Sequence, residues 1–249
     1  MNPLFFVYQE LLFRPLFNLL VIITDLVPGH GIGISILIVT IIVRLILIPP
    51  SLHQAKQMQK NQTKMADLKK ELKKIQKDHA HDQTKKAEAT MQLYKKAGIN
   101  PASGCLPLLI QLPILIALYR VFLIGISPDT FQYLYAFVPA PSSVNFNFLT
   151  INLAQSSLLL AIVAGVSQFI LMKSVSPTTP PPAPNDDQSA AMMASMQKNM
   201  AFMFPVMTVF ISMKLPAALA LYWVATTIFG IVQQYVFKKR LHITSSVAM

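Results

Sequence analysis

Five separate stretches of mostly apolar residues, each roughly 20 long, constrain this chain more than any other feature. Each is long enough to cross a hydrocarbon core of about 30 Å as a helix. They lie at about 31–50, 105–125, 149–172, 198–213 and 216–237. Only 12% of the 249 residues are charged, against about 25% in an ordinary soluble domain. A soluble enzyme, a secreted disulfide scaffold and a disordered chain are excluded. The single cysteine, Cys105, permits no internal disulfide and no multi-cysteine metal site. The expected fold is all-α and polytopic.

Charge distribution sets the orientation. The net charge of +11 is not spread evenly, because residues 52–98 hold twelve lysines against five acids, Asp67, Glu71, Asp78, Asp82 and Glu88. Lys238, Lys239 and Arg240 form a second basic cluster, whereas 125–148 has no Lys or Arg and only Asp129. That asymmetry follows the positive-inside pattern of membrane proteins rather than sequence-specific nucleic-acid binding. It places 52–98 and the C-terminus in the cytoplasm and 125–148 outside. Five crossings from an outside N-terminus agree with it.

The N-terminus shows no secretory signal pattern, since Glu10 and Arg14 interrupt its first apolar stretch. Residues 1–28 mix Leu, Phe and Ile with Glu10, Arg14, Asn18, Thr24 and Asp25. They are expected to form an amphipathic helix in the outer interface. A sixth span is the alternative, opposed by Asp25 and the Pro28-Gly29 break.

The segment 52–104 between the first two spans predicts a cytoplasmic helical hairpin. Met58, Met65, Leu68, Leu72 and Ile75 follow a heptad-like stripe, and Ala87, Met91, Tyr94 and Gly98 repeat a similar spacing beyond a polar break at 78–83. Its first arm would reach on the order of 39 Å at 1.5 Å per residue. His79 and His81, two residues apart, point to different faces of a helix and read as turn residues rather than metal ligands. Residues 173–197 form the other cytoplasmic loop, with prolines at 177, 180, 181, 182 and 184, a polyproline-type linker. A short basic tail, 238–249, ends the chain.

Arg44 is the residue with the strongest functional implication. It stands in the run Ile36-Leu-Ile-Val-Thr-Ile-Ile-Val-Arg-Leu-Ile-Leu-Ile48, roughly 9 Å inside the cytoplasmic end of its span. A charge at such a position costs at least about 2.5–3.5 kcal/mol. None of the ten acids lies within a predicted span, so something other than a span carboxylate must match it. One reading is snorkelling to the interface. The other is a water-filled cavity open to the cytoplasm, where Arg44 meets an anionic group on a substrate. Thr40, Gln111, Gln168, Gln233 and Gln234 favour the cavity, because each buried amide in lipid needs a partner or water. Any one of these glutamines alone reads as an interhelical hydrogen bond.

Arg120 and Lys214, near outer span ends, read as interfacial anchors. Met192, Met193, Met196, Met200, Met203 and Met207 follow helical spacing and suit either ordinary packing or a surface accepting varied apolar partners. No nucleotide loop, metal motif or nucleophile–base arrangement is present, so neither cofactor nor enzyme chemistry is expected. A small transporter or channel remains an alternative, although no repeat symmetry is visible. A tether built on the hairpin is another, but gives Arg44 no purpose.

Four motifs carry a family resemblance. Asn100-Pro-Ala-Ser-Gly-Cys-Leu-Pro-Leu-Leu-Ile-Gln-Leu-Pro-Ile114 resembles the entry to the second core helix of the YidC/Oxa/Alb membrane protein insertases. Arg44 before a proline pair, Met200-Ala-Phe-Met-Phe-Pro-Val-Met207, and Pro216-Ala-Ala-Leu-Ala-Leu-Tyr-Trp223 match in the same order. The resemblance implies five helices around a hydrophilic groove open to cytoplasm and lipid but closed outside. It implies insertion of newly made membrane proteins, with Arg44, Gln111, Gln168 and Trp223 meeting the substrate. It is closest to the compact bacterial type, in the cell membrane, without a large extracytoplasmic domain. The ribosome, the signal recognition system and the Sec translocon are the implied partners; the short tail leaves ribosome contact to the hairpin or to Lys238–Arg240.

Overall fold

A computed structural model describes residues 3–79, 82–99, 106–141, 143–175, 199 and 202–247. The Asn100–Cys105 half of the first motif, His81, the proline-rich linker and Met192, Met193, Met196 and Met200 lie outside the described residues. Helix α1 (Pro3–Tyr8) runs through a π turn, Gln9–Phe13, into α2 (Arg14–Leu26). Then follow α3 (Ile32–Ile46), α4 (Ile48–Asp67), α5 (Lys69–Asp78), α6 (Gln83–Lys96) and α7 (Leu106–Ile124). After a two-stranded hairpin, β1 (Asn147–Phe148) and β2 (Ile151–Asn152), come α8 (Leu158–Val175), α9 (Phe202–Ser212) and α10 (Ala217–Val247).

The chain divides into two compact units. The first comprises Met1–Ile46, Leu112–Ser176 and Met200–Met249; the second comprises Leu47–Gln111 and Pro177–Asn199. In the first, α10 packs on α8 and α3, and α3 packs on α2. Small residues permit close approach: Ala161, Ala164, Ala217, Ala218 and Ala220 are all buried. At Gly165 an added Cβ would overlap the Val209 side chain, so α8 and α9 touch there almost backbone to side chain.

The segments joining these helices close one end of this unit. Ile32 N–H donates to Asn145 O at 3.0 Å, while Ala217 N–H and Ala218 N–H donate to Gln155 O and Leu153 O at 2.7 and 3.0 Å. One hairpin region thus satisfies the otherwise orphan amides at the starts of α3 and α10. A 3-10 turn, Pro128–Tyr133, packs against α2. Asn18 Nδ2 donates to Tyr133 O at 2.9 Å, and Tyr135 N–H donates to Asn18 Oδ1 at 2.7 Å. Arg14 pairs with Glu10 at 2.9 Å. The polar residues expected to face water on the first helix therefore bond within the chain: Asn18 and Thr24 are buried, and Thr24 returns its hydroxyl to Leu20 O.

In the second unit α5 packs on α6. Asp82 caps α6 by accepting from Thr84 N–H and Lys85 N–H at 3.1 and 3.0 Å. Lys64 Nζ reaches Ala97 O at 2.9 Å, which ties the first arm to the end of the second.

Several boundaries differ from the sequence reading. The first apolar stretch, read as continuous to about 50, is not one helix: α3 stops at Ile46, and Pro49 and Pro50 occupy the first turn of α4, where a missing N–H costs nothing. The third apolar helix starts at Leu158, not at 149, because Asn145 and Asn152 side chains accept from the amides of Asn147 and Ala154 and turn the backbone. The last helix runs through the basic cluster to Val247. Among the described residues, Phe5–Leu26 and Ala217–Phe237 are long and apolar enough to cross a membrane. Counting Ile32–Ile46 and Ile48–Met65 as one span makes three, and Gln111–Ile124, Leu158–Ser174 and Phe202–Ser212 are shorter apolar helices. The chain is a predominantly helical membrane protein.

Candidate functional site

The first unit holds three of the four sequence-selected residues: Arg44 on α3, Gln168 on α8 and Trp223 on α10. Gln111 lies on α7 in the second unit and is half-buried. Arg44 sits in the last turn of α3 and is also half-buried. It lies near Tyr222, a buried residue of α10. Sequence reasoning assigned Tyr222 no part, although it precedes Trp223 in the matched motif.

Gln168 and Trp223 meet directly. The indole Nε1 donates to Gln168 Oε1 at 3.3 Å. Gln168 is only 5% exposed, and the bond supplies a partner for an amide that apolar surroundings would otherwise penalise. Polar side chains accumulate around this level of the bundle. Ser167 donates to Ala164 O at 2.9 Å and Thr227 to Trp223 O at 2.6 Å. The buried Thr226 Oγ1 has no hydrogen-bond partner among the described residues.

Thr40 corrects the sequence reading. It was expected to help line a wet cavity one turn from Arg44, yet it is 2% exposed and donates to Ile36 O at 2.6 Å. A threonine hydroxyl reaches the carbonyl four residues back without leaving the helix, so its polarity carried no information about solvent. Among the described residues no three His, Cys, Asp or Glu side chains converge as a metal site would require.

Chemically, this arrangement holds one cation and a set of neutral donors and acceptors within an apolar helix bundle. Arg44, Gln168, Trp223, Ser167, Thr226 and Thr227 include no carboxylate and no histidine.

Comparison with known proteins identifies what this chain is similar to. The 60Kd inner membrane protein family matches residues 23–244. The chain is 36% identical to the membrane protein insertase YidC of Fusobacterium nucleatum over 219 residues, covering 87% of this chain and 90% of that protein. It is 35% identical to the membrane protein insertase MisCB of Bacillus subtilis over 246 residues, covering 94% and 81%. With the YidC insertase of Clostridium tetani the identity is 34% over 215 residues, covering 85% and 84%.

Proposed function

Because the chain belongs to the 60Kd inner membrane protein family and is a membrane protein insertase, not an enzyme, we propose that Arg44 draws hydrophilic segments of its clients into the bilayer. In this reading five spans, at α3, α7, α8, α9 and α10, enclose a hydrated groove open to the cytoplasm. The residues 1–28 lie along the outer interface, 125–148 is outside, and the C-terminus is cytoplasmic in a bacterial cell membrane.

The observation that carries the proposal is the half-buried guanidinium of Arg44 on a helix with no other charged residue. A charge at that depth attracts the acidic residues of a translocating tail more strongly than it would in bulk water. Gln111 supplies hydrogen bonds that replace water as the tail enters. Trp223 and Gln168 form a joined polar and aromatic wall. The client's hydrophobic segment then leaves for lipid, gaining about 25 cal/mol per Å² of apolar surface removed from water. A membrane potential positive outside favours outward movement of an acidic tail by about 2.3 kcal/mol per charge per 100 mV. No nucleotide is required.

Helix length supports the reading from a different direction. The fifteen residues of α3 rise only about 22 Å, less than the hydrocarbon thickness. A bilayer adapts to a short helix by thinning, which shortens the path a polar tail must travel. The lysine-rich hairpin of the second unit is the contact for the ribosome, the signal recognition system or the Sec translocon.

Reconstitution in proteoliposomes tests the central step. Arg44→Ala should abolish insertion of a client with an acidic translocated tail, while Arg44→Lys retains much of it. Normal insertion by the alanine variant would overturn the attraction mechanism.

A further inference from the structure

A second site lies away from Arg44, between the N-terminal helix and α7. Phe5, Val7, Tyr8 and Leu12 on one side and Pro113, Ile116 and Arg120 on the other line an open cleft of about 720 Å³. All belong to the first unit. Except at Arg120 and the Tyr8 hydroxyl, the lining is apolar.

The charge stands at one end. Arg120 is in the last turns of α7, and its Cζ lies 4.7 Å from the Phe13 ring centroid and 5.2 Å from that of Phe5. Two aromatic faces hold the cation in place without neutralising it. The first unit contains three carboxylates, Glu10, Asp25 and Asp129. Glu10 is taken by Arg14 and Asp25 faces His30. No ion pair joins Arg120 to a carboxylate among the described residues. The Tyr8 hydroxyl is buried with no hydrogen-bond partner among the described residues, although a phenolic O–H at such a position ordinarily has one.

We infer that this cleft binds an anionic phospholipid, its phosphate held by Arg120 and Tyr8 and one acyl chain lying along Ile116 to Pro113. Pro113 is about 10 Å from Arg120 along the α7 axis, so the apolar lining continues inward from the charged end as an acyl chain continues from its headgroup. Arg120 offers a planar fork of N–H donors that suits phosphate oxygens, and the tyrosine hydroxyl gives a further donor. A zwitterionic headgroup would bring its own cation to a site that already carries one. The lopsided placement of charge favours an amphiphile over a polypeptide segment. The inference needs only that the chain is a membrane protein, and stands whether or not Arg44 acts as proposed.

Native mass spectrometry of the full chain in detergent tests it, with phosphatidylglycerol, phosphatidylcholine of identical chains, and inorganic phosphate as probes. Phosphatidylglycerol should be retained over phosphatidylcholine. Arg120→Gln should lower that retention about tenfold or more, the loss of a charged hydrogen bond. Arg120→Lys should lose less and Tyr8→Phe a few-fold. Ile116→Trp, which fills the cleft and leaves the charge, should also expel the lipid, and it serves where Arg120→Gln fails to fold. Equal retention of both lipids, undiminished retention by Arg120→Gln or Ile116→Trp, or full displacement by inorganic phosphate would overturn the proposal. So would a photo-crosslinker at position 116 that captures a nascent chain instead of lipid.

Discussion

The indole of Trp223 and the side-chain amide of Gln168 are 55 residues apart in sequence and 3.3 Å apart in space, Nε1 donating to Oε1. The bond ties α10 to α8 in the polar level of the bundle. Trp223→Phe keeps most of the ring but removes the donor and leaves a buried carbonyl unmatched. Thermal unfolding of the purified chain should show a loss of about 1 kcal/mol. Combining it with Gln168→Leu should cost less than the two single changes added together. Strict additivity would mean that the bond has no energetic consequence.

Gln111 gives access to the hydration of α7. In a Cys105→Ser background, which removes the one native thiol, Gln111→Cys should react with a membrane-impermeant maleimide added from the cytoplasmic side. The same reagent added outside should not label it. Absence of labelling from the cytoplasm would indicate dry packing at this position.

The contact of α8 with α9 depends on one missing methyl group. Gly165→Ala would place a Cβ inside the radius of the Val209 side chain and 3.2 Å from Pro205 O. Overpacking of this kind costs about 1–3 kcal/mol. Val209→Ala in the same chain should recover part of the loss, which a lower melting temperature and its rescue would register.

Asp82 makes the hairpin sensitive to acid. The backbone N–H of Lys85 is the main cause holding its carboxyl below the ordinary range, with the Lys85 ammonium, the Thr84 amide and His79 acting in the same direction. A depressed carboxyl contributes stability that is present above its unfolded pKa of about 3.9 and is lost as pH falls through the lower folded value. Protection of the Thr84 and Lys85 amides from hydrogen exchange should therefore hold from neutrality to about pH 5 and fall below about pH 4. Asp82→Asn retains an N-cap acceptor without titrating, so it should remove that acid step.

How much was legible in the sequence differs from residue to residue. The helices of 52–98 could be read because their apolar stripe and polar break are local, whereas the Asp82 cap came only with the structure. Arg44 and the glutamines could be picked out by contrast, as polar groups in apolar runs. Thr40 misled for the same reason, since its hydroxyl is satisfied by its own helix. Tyr222 is not legible in the sequence, because a tyrosine beside a tryptophan on an apolar helix carries no signal of what faces it.

Apolar length, charge asymmetry and four ordered motifs determined by themselves that this is a helical membrane protein of the insertase family, because solvation by lipid and the cost of moving charge act on composition alone. Which polar groups are shared within the chain was decided only by the tertiary structure. The Asn18 contacts with the 133–135 turn, the Gln168–Trp223 bond and the cleft beside Arg120 each join residues far apart in sequence. A hydrogen bond or a cleft depends on distances of a few ångströms, and those exist only once the helices have packed.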